Sequence, residues 1–325
     1  MGKRSLFLLL FFGAVLALTF SAKAAESAGD LLASGRVDDA ITALHGRLSS
    51  APSDAESLNL LCRAYFALED WDRAESSCQK AVALEPGNGR YHLWLGRVHG
   101  EKADRANFLS AARLAGKTRD EFQRAVELNP NDVAARVDLA EFYLEAPGIV
   151  GGGQDKARAQ AKIIGAASPA WEHWVYARIA EKNKDASTAE REYRRMIETS
   201  KDNKDNSEAW LNLALFLRRQ KRYDEMEQAI VTISQQPISK RDVLVEAAGN
   251  LYRAGRNSPL AIQLLERYLA SPPVEEAPAF KAHYLLGSLL EKQGDRDGAA
   301  RHYRASLALA ANFGLAQQAL NRVVR

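Results

Sequence analysis

Pro52 and Pro86 lie 34 residues apart, and so do Ala40 and Ala74. Between such markers the chain repeats one plan: a helix, a tight turn, a second helix, and a proline that stops it. The segments Ile41 to Pro52, Ala74 to Pro86 (AESSCQKAVALEP) and Phe122 to Pro130 (FQRAVELNP) each place apolar or small residues at i, i+3, i+4 and i+7. That is the pattern of an amphipathic helix ended by a residue that cannot continue it. A turn precedes the first two, Gly35 to Ala40 and Glu69 to Ala74. A further helix precedes the second turn, Ser57 to Leu68, with Leu61, Cys62 and Tyr65 on one face. A chain with this period grows in one dimension and forms no single globular core. Its 325 residues therefore do not translate into two ordinary domains.

This 34-residue helix–turn–helix unit resembles the tetratricopeptide repeat family. That family places a large residue at position 4, Leu-Gly or Leu-Ala at 7 and 8, and Tyr at 11. Ala follows at 20, an aromatic at 24, Ala at 27 and Pro at 32. Repeat two carries Leu61, Cys62, Tyr65, Ala74, Ala81 and Pro86, and repeat three carries Leu95-Gly96 and Pro130. Repeat four has Leu139, Ala140, Tyr143 and Ala157; repeat six has Leu213, Ala214, Leu217 and Tyr223; repeat eight has Leu286-Gly287, Ala299 and Tyr303. HEAT-type and Sel1-like units have other lengths and do not call for the recurring proline. The resemblance implies an all-α, right-handed superhelical solenoid of about eight hairpins, about seventeen helices in all. The expected units are 25–54, 55–88, 89–132, 133–169, 170–206, 207–240, 241–279 and 280–313. Residues 314–325 form a capping helix, because the last unit would otherwise expose its apolar face. Stacked in this way, the pairs are expected to leave a long curved trough and no enclosed chamber.

Residues 1–24 read as a separate object. Lys3 and Arg4 precede an apolar run of 15 residues, Leu6 to Phe20, and Ala22-Lys23-Ala24 offers a small-residue cleavage site. A spanning helix needs about 20 apolar residues. A secretory signal cleaved after Ala24 is expected, with a periplasmic destination, no membrane span after its removal and no lipid attachment, since no Cys follows the run. The overall charge of +3 belongs to this segment, and beyond it acids and bases balance at 41 each. A neutral chain lacks the positive field of a nucleic-acid binder, so nucleic acid is not expected as a partner.

Two stretches exceed the repeat length. Repeat three holds ten extra residues within 100–116. Ala103, Ala106, Leu109 and Ala112 keep helical spacing, while Thr118 and Glu121 form a capping box that would start a helix there. The spacing leaves two options, longer helices or an extra short one. Repeat four holds the loop Pro147 to Gly153. Gly151-Gly152-Gly153 before a helix could cradle an anion, but no strand precedes it, Gly-Lys-Ser/Thr is absent and Asp155 repels phosphate. The loop reads as a flexible five-residue insertion, exposed and open to contact.

No catalytic or metal constellation stands out, and neither enzyme activity, a metal nor a cofactor is expected. His92 and His99 are seven apart, not the i, i+4 spacing of a helical metal site, and take packing positions 4 and 11. Cys62 and Cys78 occupy positions 8 and 24, which face each other across the hairpin. They are either bridged or two small buried thiols, since packed helices lie 8–10 Å apart and a disulfide wants Cα atoms about 5.5–6 Å apart.

The resemblance implies that the first helix of each unit lines the inside of the superhelix through positions 2, 5, 9, 12 and 13. On this chain those include Asn59, Arg63, Phe66, Leu93, Arg97, Glu141, Leu144, Trp171, Trp174, Arg178, Glu181, Leu211, Leu215, Arg218, Tyr252 and Tyr284. Arginines and large aromatics are the side chains that dominate binding surfaces. Arg63, Arg97, Arg178 and Arg218 suggest a protein or peptide partner with acidic groups, held by bidentate pairing. The family's carboxylate clamp, Lys at 5 and Asn at 9, is not met, because repeat two has Asn59 and Arg63 there and repeat three has Leu93 and Arg97. The expected function is an exported scaffold or adaptor gripping a partner in its concave groove. The alternatives are a subunit of an envelope, secretion or pilus-type assembly, and an enzyme without a recognisable motif.

Overall fold

The protein was analysed as a computed structural model that describes residues 27–200 and 206–325. Residues 1–24, read as a signal, lie outside that range. Among the described residues there are seventeen α-helices and no strand. They pair as antiparallel hairpins: α1 (Ala28–Ala33) with α2 (Val37–Ser50), α3 (Ala55–Ala67) with α4 (Trp71–Leu84), and α5 (Gly89–Asp104) with α6 (Phe108–Leu128). Next come α7 (Val133–Glu145) with α8 (Gln154–Ala167), α9 (Pro169–Lys182) with α10 (Ala186–Thr199), and α11 (Ser207–Arg219) with α12 (Tyr223–Ser234). The series ends with α13 (Asp242–Ala254) and α14 (Ser258–Leu269), α15 (Ala279–Lys292) and α16 (Arg296–Leu309), and α17 (Gly314–Val323) packed on α16.

Local chemistry sets the hairpins. Asp54, Asp70, Asn107, Asp132, Asp185 and Asp295 each accept a hydrogen bond from the backbone N–H three residues on, which satisfies a donor that the first helical turn leaves free. The turns inside six hairpins use left-handed residues: Gly35, Glu69, Lys184, Lys221 and Gly294 singly, and Gly255 with Asn257 together. Small residues then let the paired helices touch. A Cβ on Gly96 would lie 2.5 Å from the Phe122 ring, and one on Gly287 would lie 2.7 Å from the Tyr303 ring. Ala40, Ala74, Ala81, Ala140, Ala157, Ala189 and Ala299 are wholly buried in matching places.

The same closeness joins Cys62 to Cys78 in a disulfide, with Cα atoms 5.2 Å apart. The Cα atoms of a helix lie about 2.3 Å off its axis, so facing positions come several ångströms nearer than axes 8–10 Å apart. The open alternative is thereby settled as a bridge.

The ten extra residues of repeat three lengthen both helices, α5 to 16 residues and α6 to 21. The expected start at Thr118 does not occur. Helix α6 starts at Phe108 under an Asn107 cap, and the Thr118 hydroxyl, deep inside the helix, donates back to the Leu114 carbonyl at 3.0 Å. The Pro147–Gly153 loop is pinned, contrary to its reading as a flexible insertion. A 3-10 turn spans Gly148–Val150, the Gly153 N–H donates to the Tyr143 carbonyl at 2.8 Å, and the Lys156 ammonium donates to the Gly151 carbonyl at 2.8 Å.

The two ends of the array also meet. Leu31, Leu32, Val37, Ala40, Ala64 and Ala67 from the first hairpins share one core with Phe280, Ala310, Phe313 and Ala316. Arg63 on α3 meets both carboxylate oxygens of Glu275 in the α14–α15 loop, Nε to Oε1 at 2.6 Å. The Ala311 N–H donates to Asp38 at 2.7 Å. At Gly35 a Cβ would lie 2.7 Å from the Ala279 backbone nitrogen. The superhelix thus completes a turn and returns to its own beginning, since hydrophobic burial is gained where an open array would leave two apolar ends wet.

Two outcomes follow for stability and shape. Reducing the disulfide, or replacing both cysteines by Ala, releases a closed loop of 16-residue separation and should cost about 3 kcal/mol of local stability, read as a lower urea midpoint of the helical signal; an unchanged midpoint contradicts the bridge. Gly35→Val combined with Glu275→Arg should raise the radius of gyration in small-angle scattering while leaving helical content intact.

Candidate protein-binding surface

The first helices of consecutive hairpins touch along much of the array, as in α1 with α3, α3 with α5, α7 with α9, α11 with α13 and α13 with α15. Second helices of neighbouring hairpins make no comparable contact. The stack therefore bends with first helices inside, and their outward-facing residues form an inner wall. The residues expected there fall into three physical groups.

Some are packing residues. Asn59 and Trp174 are buried, and the Trp174 indole N–H donates to Asn212 at 2.9 Å, tying repeat five to repeat six. Phe66 stands edge-on to Trp71 and Trp94, Trp171 stands edge-on to Trp174, and Tyr284 packs on Phe313 at the closure. These side chains hold the wall rather than project from it.

A second group is neutralised by the chain itself. Arg63 is taken by Glu275. Arg97 Nε donates to Asp138 at 2.6 Å, and Arg63 and Arg97 lie over the Trp94 ring at 5.4 and 4.9 Å. Arg178 lies 2.8 Å from Glu145 and 3.6 Å from both Glu141 and Glu181. Arg219 holds Glu181 at 2.8 Å. Burial raises the Glu141 carboxyl above its usual range, and Asp138 and Glu145 add to this while Arg178 opposes it. Burial also works on Glu181, but hydrogen bonds from Arg219 and Tyr193 win and hold it low. This wall is a ladder of alternating charges running from repeat to repeat, which residue types alone did not reveal.

The third group is only weakly matched by acids. Arg218, in the last turn of α11, has no carboxylate partner among the described residues, and its Nε is buried without a hydrogen bond. Burial, then the cations Arg253 and Arg219, lower its proton affinity. Arg253, in the last turn of α13, reaches Glu246 only loosely at 3.8 Å. Beside it the Lys292 ammonium, from the last turn of α15, lies 3.7 Å from the Tyr252 ring centre. Arg218, Tyr252, Arg253 and Lys292 thus occupy the same end of three successive first helices. Arg253 and Lys292 were missed by the sequence reading; both sit at position 13, a groove position whose positive charges in adjacent repeats were the available signal.

The histidines pack. His92 is buried, with Nδ1 2.6 Å from Glu121 and Nε2 3.0 Å from the Pro86 carbonyl, and His99 lies 3.2 Å from Glu75. No group of three or more metal-ligating side chains occurs among the described residues. None of their helices is long and apolar enough to cross a membrane.

Stacked antiparallel hairpins with one inner wall define an α-helical repeat solenoid. Within that class the chain belongs to the tetratricopeptide repeat family, whose models match residues 31–98, 176–230 and 246–312. Members are typically protein-interaction scaffolds. Among solved structures, yeast Tom70 is similar at 15% identity over 89% of this chain and 58% of its own, with a TM-score of 0.53. A thermophilic tetratricopeptide repeat protein of Thermus thermophilus shares 19% identity over 60% of this chain and 92% of its own, with a TM-score of 0.45. At these identities the likeness concerns the fold. No curated protein matches the sequence.

One pair of rings makes stability depend on pH. His283 and His302 stack with Nδ1 atoms 3.1 Å apart. Burial and then His302 pull His283 down to about 4, and burial also lowers His302. The unfolded chain takes up these protons from about pH 6.5 downward, while the folded one resists, so this contribution is lost as pH falls through that window. The urea midpoint should drop between pH 7 and pH 5, and drop less in the His283→Asn variant; equal drops would exclude the pair as the cause.

Proposed function

We propose that this chain is an exported scaffold that holds a protein partner against its inner wall, working in the periplasm after removal of residues 1–24. The observation that carries the reading is the cluster of Arg218, Arg253, Lys292 and Tyr252. It is the stretch of wall where Arg218 and Lys292 have no carboxylate partner among the described residues and Arg253 reaches Glu246 only at 3.8 Å. Guanidinium groups beside an aromatic ring suit a carboxylate, which accepts parallel N–H bonds. On this reading the partner's acidic group binds at repeats six to eight, and not along all four arginines. Arg63, Arg97 and Arg178 keep the wall in shape.

Export is supported by the basic start, short apolar run and Ala22-Lys23-Ala24. The Cys62–Cys78 bond agrees with it, since such bonds persist in oxidising compartments. A scaffold rather than an enzyme is the reading that the family supports, since tetratricopeptide repeat folds are typically non-catalytic scaffolds. A second reading, a subunit of an envelope assembly that uses its outer surface, is favoured by exposed apolar side chains at the α5–α6 turn.

Crosslinking capture from the protein's own envelope fraction tests the first reading. Arg218→Glu with Arg253→Glu should lower recovery of the partner by about tenfold or more, while Arg124→Glu on α6 should leave it unchanged. Equal recovery from both variants would remove the inner wall from the mechanism.

A further inference from the structure

The two stretches that the repeat does not need, 100–116 and 147–153, come together in space. The 3-10 turn Gly148–Val150 packs against α6. Between them runs a groove of about 280 Å³, lined mainly by Ala103, Phe108, Ala112, Phe142, Ile149 and other small apolar residues. Ile149, Phe108 and Leu109 are 92%, 82% and 79% exposed, and the next large apolar side chain among the described residues reaches 54%. Phe108 and Ile149 both line the groove, and two such side chains at one spot mark an interaction surface rather than scattered exposure.

The site is built. Arg119 donates to the Val150 carbonyl at 3.1 Å and so ties the 3-10 turn to α6. The Gly152 N–H donates to the Pro147 carbonyl, and a Cβ at Gly152 would fall 1.8 Å from the Ala146 carbonyl oxygen. These contacts hold Ile149 out in water with its backbone fixed, so little ordering entropy remains to be lost on binding.

Charge narrows the occupant. Helix α5 ends at Asp104 and α7 ends at Glu145, and both residues line the groove. Two carboxylates and the negative ends of two helix dipoles meet there, and no Lys, Arg or His lines the groove. Arg105, the nearest cation in sequence to Asp104, is drawn onto the Trp71 ring at 4.6 Å and onto Glu101. Glu145 is shared with Arg178 and Lys182, whereas Asp104 has no ion pair among the described residues.

We propose that this groove docks a short segment of a partner protein that sets an apolar side chain beside Phe108 and Ile149 and a Lys or Arg against Asp104. An anionic bilayer is disfavoured by the acidic rim. The volume suits one or two large side chains, being just below the range of small-molecule pockets. The site does not depend on the inner-wall reading, and either can fail alone.

A phage-displayed dodecamer library, selected on the full chain and counter-selected on a Phe108→Asp, Ile149→Asp variant, tests it. Enriched peptides should combine Leu, Phe or Trp with a neighbouring Lys or Arg. They should bind the double variant at least about tenfold more weakly by fluorescence anisotropy. Asp104→Lys should weaken them too, and a peptide with its Lys changed to Glu should regain binding on that variant. All these positions are exposed, and helical content by circular dichroism should not change. The proposal is overturned if no peptide is enriched, or if enriched peptides ignore Phe108→Asp and Asp104→Lys. It is also overturned if Phe108→Asp instead abolishes self-association in sedimentation, or binding to vesicles of 30% anionic phospholipid.

Discussion

Each hairpin depends on a contact between backbone and ring or between small side chains where its two helices cross. Gly96 under Phe122, Gly287 under Tyr303 and the bonded pair Cys62–Cys78 are versions of that contact. Because no Cβ intervenes, or only a small side chain, the helices approach until large side chains above and below fill the remaining space. That distance sets the hairpin angle, and the angle repeated along the array sets the curvature. A wider crossing at one hairpin would shift every later one relative to the first.

The curvature ends in closure. Small angular steps summed along the array bring Phe280 and Phe313 to Leu31, Leu32 and Val37. Closure consumes the apolar faces of both ends, and α17 has company from the N-terminal hairpins in covering the last unit. It also confines the inner wall, so that any segment lying on it is surrounded by first helices. The acids and bases of that wall mostly answer one another across repeats. Carboxylates in such surroundings are costly when unpaired, which explains why Arg63, Arg97 and Arg178 found partners within the chain. Arg218 and Arg253 stand apart because the first helices of repeats six to eight place few acids near them.

The insertions show how an array acquires individuality without disturbing its period. The added turns at the start of α6 and the pinned 3-10 turn meet one another across the junction of two hairpins, while the period of the helices on either side is kept. What they add is exposed apolar surface beside two helix C-termini.

Local pattern sufficed for much of this. The 34-residue spacing, the prolines after second helices and the small residues at position 8 are all properties of a few consecutive residues, and they determined helices, hairpins and order of stacking. The facing of Cys62 and Cys78 was legible for the same reason, although the bond needed the real helix separation. The ends meeting, the partners of each inner-wall arginine and the junction of 100–116 with 147–153 depend on residues tens to hundreds apart. No periodicity specifies such distances, because the sum of many small rotations decides whether Arg63 reaches Glu275. Thr118 shows the limit at short range as well: a capping sequence inside a longer amphipathic helix yields to the packing that carries the helix through it. Sequence determined the unit and its repetition; tertiary structure alone decided which charges remain unanswered, because neutralisation requires contact and contact is set by the whole curve.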